Sequence, residues 1–298
     1  MLVASLEPSE RLCRLNEALY LPATVDLEVS SACDRRCQMC PREAIHRGPG
    51  ILQDNLVDTL VDWLPTDARV MFCGLGEPLL HPDLPGVARR LRGKHRVLGV
   101  TTHGQRLFPP LVDALLDAGL GLFQVSLHAA DSAKVQAIAP STDLSATLRN
   151  VEYLARHAPS SVRVAITATL EPGDQKGASS LHALSRDLGV GWFPRYLHHR
   201  GGALNGGPHS SEVRRSLGCG SFARCTFITW QGDVLACCND LSGSTRLGGV
   251  EETPYTEILA RKARLIEAGN FFPACATCDD TYRHLLLLVP RLLDGEST

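Results

Sequence analysis

Cysteine placement constrains this chain more than any other feature. Eleven cysteines occur in 298 residues. Cys33, Cys37 and Cys40 sit within one short segment, and Cys219, Cys225, Cys237, Cys238, Cys275 and Cys278 crowd the last third, while Cys13 and Cys73 stand alone. Met1 to Glu10 shows no basic flank followed by a long apolar core, so we read no secretion signal and expect a cytoplasmic protein. Disulfides are then the weaker reading, and clustered thiolates for a metal or iron–sulfur group the stronger one. Composition removes other classes. Thirty basic against 32 acidic residues leave a formal net charge of -2, which argues against a bulk nucleic-acid or acidic-membrane binder. The longest apolar run, Leu285 to Val289, is far too short to cross a bilayer.

Between the cysteine groups the pattern repeats. Thr24 to Val29 reads as a strand, with branched residues alternating with Asp26 and Glu28. Further strands are expected at Ala68 to Cys73, Val97 to Thr102, Leu122 to Leu127, Ser161 to Leu170 and Val190 to Tyr196. Helices are expected at Leu52 to Leu64, Pro82 to Gly93, Pro110 to Ala118, up to His157, and at Ser179 to Leu188. Strand–helix alternation demands a parallel sheet, because parallel neighbours need a crossover. The fold class is therefore α/β, a partial (β/α)6 barrel, with active-site residues at the C-terminal strand ends. Residues 1–23 read as a lead-in, 24–200 as the barrel and 201–217 as a Gly/Ser/Pro-rich linker. Residues 218–298 read as a small second domain. Its hairpin, Thr226 to Trp230 and Asp233 to Cys238, turns at Gln231-Gly232. A helix from Thr256 to Ala268 and an amphipathic tail from Thr281 to Leu293 follow.

The first cysteine group, C-x3-C-x2-C, follows the first strand directly. Tetrahedral zinc wants four ligands, and His46 is the nearest further candidate. A 4Fe–4S cluster accepts three cysteines and leaves one iron open for a small ligand. This motif in this place resembles the radical S-adenosylmethionine (SAM) superfamily. The resemblance implies that Cys33, Cys37 and Cys40 hold a cluster whose open iron is chelated by SAM. It also implies reductive cleavage of SAM to a 5′-deoxyadenosyl radical that abstracts a hydrogen atom. Met39 stands where many members have an aromatic residue beside the adenine. Gly74, Gly76, Glu77 and Pro78, after the second strand, resemble the family's Gly-Gly-Glu element, in which the carboxylate receives the SAM amino group. Thr102 and Ser126, at the ends of the third and fourth strands, are further SAM-binding candidates by resemblance. His103 and His128 beside them read equally well as polar or surface strand-end residues.

The second group resembles the SPASM/twitch extension of radical SAM enzymes, which carries auxiliary iron–sulfur clusters. A full SPASM domain has about seven or more cysteines and two clusters, and the six cysteines here fit the one-cluster twitch form. The resemblance implies Cys219, Cys237, Cys275 and Cys278 as ligands, with Cys225 an alternative to Cys219. Four cysteines also suit a structural zinc, because ligand type alone does not separate the two metals. Side chains alternate along a strand, so Cys237 and Cys238 are expected on opposite faces, Cys238 toward the barrel mouth.

A spare thiol beside an auxiliary cluster suits epimerisation. Its S–H bond is weak enough to return a hydrogen atom, and the cluster is placed to reduce the resulting thiyl. Cys238 is thus the catalytic candidate, against an inert buried thiol. Small twitch enzymes of aminoglycoside biosynthesis, including epimerases such as the neomycin C epimerase, share this size and cysteine plan. The resemblance implies two 4Fe–4S clusters, SAM, an electron donor such as a flavodoxin or ferredoxin, and a polar amino sugar or aminocyclitol substrate. Epimerisation is the leading expectation. Oxidation of a sugar alcohol, or modification of a peptide or protein, are the alternatives. Residues 1–23 are too short for the extra N-terminal domain usual in peptide-modifying members. Glu171, Asp174, Asp240 and Tyr196 are candidates to meet a cationic substrate, and Arg195, His198, His199 and Arg200 an anionic group, although ordinary surface charge explains each of these singly.

Overall fold

Short alternating segments run as strands, and longer segments with apolar residues every three to four positions wind into helices. The computed structural model describes residues 23–44, 46–93, 96–200, 204, 219–269, 272–276 and 278–280. The first half of the element series is β1 (Thr24–Leu27), α1 (Asp54–Trp63), β2 (Arg69–Phe72), α2 (Leu84–Arg92), β3 (Val97–Thr102), α3 (Pro109–Asp117) and β4 (Leu120–Ser126). Next come α4 (Ser132–Ile138), α5 (Leu144–His157), β5 (Arg163–Leu170), α6 (Gln175–Asp187) and β6 (Gly191–Tyr196). The C-terminal part holds α7 (Gly220–Arg224), β7 (Cys225–Ile228), β8 (Asp233–Leu235), β9 (Arg246–Gly249), α8 (Tyr255–Glu267) and α9 (Pro273–Ala276). The expected tail helix, Cys13, most of the lead-in and nearly all of the linker lie outside the described residues.

Four helices start at an aspartate whose carboxylate accepts a first-turn N–H: Asp83 from Gly86, Asp131 from Lys134, Asp143 from Ala146 and Asp174 from Gly177. Each such cap contributes about 1 kcal/mol. Asp174 explains why α6 begins at Gln175, ahead of the expected Ser179.

Strands β1 to β6 are parallel, each paired with its neighbour in sequence. This singly wound order is that of a partial barrel, as expected. One face of the strands is sealed by the helices: Val25, Leu27, Val70 and Phe72 are fully buried in the core they share with Leu60 of α1 and Leu91 of α2. Burying each such side chain contributes about 1.5–3 kcal/mol. On the other face Asp26 of β1 and Met71 of β2 are half-buried and stand level with each other.

The C-terminal region, read as a small second domain, continues the barrel sheet. Its first strand, β7, pairs in parallel with β1, Thr24 opposite Cys225 and Leu27 opposite Ile228. The hairpin at Gly232 then adds β8 and the unforeseen β9 as antiparallel strands. One nine-stranded sheet results, in the order β6-β5-β4-β3-β2-β1-β7-β8-β9. The edge of β1 that faces away from β2 is thereby covered. Among the described residues, no helix is long and apolar enough to cross a membrane.

Candidate active site

The loop after β1 is built onto the loops after β2 and β3. Glu28, fully buried, holds Arg47 through both oxygens, with Oε1 to Nη2 at 2.8 Å and Oε2 to Nε at 3.1 Å, and also accepts the Leu75 N–H. Glu77 N–H donates to the Ala32 carbonyl at 2.8 Å. A Cβ on Gly76 would lie 2.1 Å from the Ser30 carbonyl oxygen, and one on Gly74 2.7 Å from Glu28 Cγ. Both glycines are therefore required for the β2 loop to lie against the cysteine loop.

The Glu77 carboxylate is buried and aimed by three donors: Thr102 Oγ1 at 2.6 Å, His103 N at 2.9 Å and Leu79 N at 3.0 Å. Pro78, buried, opens the short turn that supplies Leu79. Thr102 thus acts on Glu77 rather than standing apart from it. Of the readings open for His103, the surface one is removed: it is a buried polar strand-end residue, its Nε2 2.8 Å from Asp34 Oδ1 and 3.3 Å from Glu77 Oε2. Ser126 is the half-buried last residue of β4. His128, just beyond it, accepts the Thr169 N–H at Nδ1, and burial, aided by Arg35 and Arg200, holds its pKa down to about 4.

Cys33, Cys37 and Cys40 are all half-buried in the first loop, and none of the ten described cysteines is in a disulfide. Arg35 N–H donates to Cys33 Sγ, and Cys40 N–H closes a turn onto the Cys37 carbonyl. Burial pushes the Cys33 thiol up to about 11, so a metal's positive charge is needed to make it a thiolate. Arg35 is buried, with Nη2 lacking a partner among the described residues.

The second set comes from separate segments. Cys219 caps α7, its Sγ accepting the Phe222 N–H; Cys237 follows β8, its Sγ accepting the Asn239 N–H. Cys275 lies on α9, and Cys278 N–H turns back onto its carbonyl. Among the described residues the ligand atoms gathered within 4.8 Å are those of Cys33, Asp34 and His103, and no such set consists of cysteines. The backbone N–H donors to the sulfurs of Cys219 and Cys237 suit thiolate ligands of a metal group.

Cys237 and Cys238 correct the expectation drawn from strand alternation. Strand β8 ends at Leu235, and both cysteines lie beyond it, where alternation no longer applies. Their thiols hydrogen-bond to each other, which pushes Cys237 up and Cys238 down. Surroundings distinguish them. Cys237 is within electrostatic reach of Cys219, whereas Cys238 is near Asp26, Arg200 and Arg195. Asp26 hydrogen-bonds to Cys73, and burial raises both pKa values. Cys225 also lies near Asp26 and Cys238. Three thiols and one carboxyl therefore meet inside the barrel. Asp26 was a missed member of the site; its signal was a carboxylate at an alternating position of the first strand.

Several charge candidates prove to be structural. Asp174 caps α6 and pairs with Lys134 at 2.7 Å. Asp240 is saturated by donors from Ser242, Gly243 and Thr245. His199 binds Asp279 at 2.8 Å, Arg195 and His198 approach Asp280, and Arg200 donates to Asn239. Arg195, His198 and His199 thus tie the end of β6 to the segment after Cys278, and Arg200 ties it to the turn after β8. Glu171 and Tyr196 are exposed.

Comparison with known proteins agrees with this geometry. The radical SAM superfamily matches residues 27–176, and an iron–sulfur cluster-binding domain, SPASM, matches residues 219–279. The chain is similar to a tungsten-containing aldehyde ferredoxin oxidoreductase cofactor-modifying protein of Pyrococcus furiosus, 27% identical over 36% of this chain and 31% of that protein. It is also similar to a PqqA peptide cyclase of Streptomyces rochei, 30% identical over 41% of this chain and 34% of that one. The matches thus span about a third of those relatives' length. Among solved structures, BtrN in complex with AdoMet and 2-DOIA superposes with a TM-score of 0.59 at 18% identity, covering 88% of this chain and 94% of BtrN. Streptococcus suis SuiB bound to its precursor peptide SuiA gives 0.66 at 13% identity, over 97% of this chain and 77% of SuiB. At such identities the likeness carries the fold. Together the two family matches imply SAM and 4Fe–4S clusters as cofactors. Since residues 27–176 make up half of the molecule and include both the cysteine loop and the Glu77 turn, the chain belongs to the radical SAM superfamily.

Proposed function

We propose that this radical SAM enzyme epimerises one carbon of a carbohydrate- or aminoglycoside-type natural product, with Cys238 as the hydrogen donor. The observation that supports this is the placement of Cys238: inside the barrel beside Asp26, and next to Cys237 in the second cysteine set. Cys33, Cys37 and Cys40 are assigned to the SAM-binding cluster, and Cys219, Cys237, Cys275 and Cys278 to an auxiliary one. When bound, these cofactors supply a 5′-deoxyadenosyl radical that takes a hydrogen atom from the substrate.

The chain's own residues do the rest. Glu77, aimed by Thr102 and His103, receives the SAM ammonium, with Gly74, Gly76 and Pro78 shaping the turn and Ser126 at the neighbouring strand end. Arg35 offers its Nη2, without a partner among the described residues, to an anionic group at the same loop. Cys238 returns a hydrogen atom to the carbon from the opposite face. A cluster held by Cys219, Cys237, Cys275 and Cys278 would supply the one electron that, with one proton, restores the Cys238 thiol. A flavodoxin or ferredoxin is assigned as the initial electron donor.

Anaerobic incubation with SAM, reductant and a panel of aminoglycosides in D2O tests the reading. The product should elute apart from its substrate and carry one added deuterium. Cys238→Ala should keep both clusters and 5′-deoxyadenosine formation while losing the label. Deuterium entering the product of that variant would overturn the donor role. Loss of two hydrogens would instead establish oxidation, the second reading. That reading is favoured by the likeness in extent to BtrN, a structure holding AdoMet and 2-DOIA. Turnover only with a peptide would move the enzyme to the class of SuiB.

A further inference from the structure

Helix α8 breaks its own pattern at one position. Its buried stripe runs Ile258, Lys262, Ile266, so a lysine stands where helical spacing calls for an aliphatic side chain. Lys262 is fully buried. Its Nζ donates to the Cys225 carbonyl at 2.7 Å and to Thr226 Oγ1 at 2.9 Å, and lies 5.7 Å from the centre of the Phe222 ring. All of these partners are neutral. Among the described residues no carboxylate pairs with it, and the groups opposing its burial are the sulfurs of Cys225 and Cys219. Burial brings its pKa down to about 8. A buried ammonium without an anion is costly, and a protein tolerates one where a compensating charge is supplied.

We propose that Lys262 is the built-in counter-ion of the auxiliary metal centre, its ammonium offsetting the negative charge carried by a metal group ligated through four thiolates that include Cys219. This rests on the assignment of Cys219, Cys237, Cys275 and Cys278 as ligands, and it deepens that assignment. Lys262 acts as a positioning and charge-setting residue. Its hydrogen bonds run to the start of β7, one short helix away from Cys219. The site it serves is thus locked to the strand that joins the barrel sheet.

Two neutral variants read the charge. Lys262→Gln retains a hydrogen-bond donor, and Lys262→Met retains the length of an apolar side chain. In redox titrations followed by electron paramagnetic resonance, both should lower the auxiliary cluster's potential and leave the SAM-binding cluster unchanged. Against a chelator, both should release the second metal about tenfold faster than wild type. In the metal-free protein the sign reverses: Lys262→Met should unfold at higher urea than the wild type, because an uncompensated charge has been removed. Equal potentials and equal metal release in Lys262→Gln and wild type would overturn the proposal. If the second site is found to hold zinc, the iron–sulfur assignment fails, yet the chelator experiment still decides the counter-ion role.

Discussion

The two cysteine groups of this chain are held in opposite ways. Cys33, Cys37 and Cys40 occupy one loop, whose backbone is tied by its own turn and by the Glu77 amide. Cys219, Cys237 and the Cys275–Cys278 pair come from three segments, anchored where β7 pairs with β1 and where Asp279 and Asp280 meet the end of β6. A local loop closes at small entropic cost, whereas a site assembled from distant segments must draw its order from the surrounding fold. The first site therefore depends on the barrel strands, and the second on how the C-terminal region is attached.

The strongest test of that contrast is all-or-none. Cys33→Ala should abolish 5′-deoxyadenosine formation, and reconstituted iron should fall from about eight to about four per chain. Cys278→Ala should cost a similar amount of iron yet keep SAM cleavage. Loss of cleavage in Cys278→Ala would show that the two sites are not independent. Stripping metal comes next in size. Amide exchange in residues 219–280 should speed up far more than in the strands between residues 24 and 170, since metal binding supplies order where the chain does not. Uniform exchange across both regions would break the comparison.

Thr102→Val is expected to be milder. It removes the 2.6 Å hydrogen bond to Glu77, a bond to a charged group worth about 1.5–3 kcal/mol, and should raise the KM for SAM about tenfold or more with little change in iron content. An unchanged KM would show that Glu77 is held well enough by His103 and Leu79. The smallest effect is in pH. The folded His128 has a pKa near 4, below the usual 6.5, so the unfolded chain gains its proton first as pH falls. Stability should be complete above about pH 6.5 and decline from there toward pH 4. Urea titrations of the metal-free protein at pH 7 and 5 should show this decline, and His128→Asn should lessen it, leaving the share due to His198, which shifts in the same direction.

Much of the barrel was readable because its signals are local. Alternation in β1, the Gly-rich turn before Glu77 and the spacing of Cys33, Cys37 and Cys40 each lie within a few residues. Those signals located the strand-end loops that the fold brings together. Pairings between distant segments had no such signature. Arg195, His198 and His199 read either as ordinary surface charge or as partners of an anionic group, and their pairing with Asp279 and Asp280 had no local signature. Cys237 and Cys238 looked separated by strand alternation, but β8 stops two residues short of Cys238's neighbour, and the thiols meet in the following turn.

By itself the amino-acid order determined which residues can ligate iron, which segments become strands and helices, and that parallel strands must leave their working loops at one end. Those are consequences of side-chain chemistry and short-range periodicity. The tertiary structure alone decided that β7 extends the barrel sheet, that Asp26, Cys73, Cys225 and Cys238 meet in its interior, and that Lys262 of α8 is buried with no acid paired to it among the described residues. Contacts between residues far apart in the chain depend on how the whole sheet closes, and no local pattern encodes that.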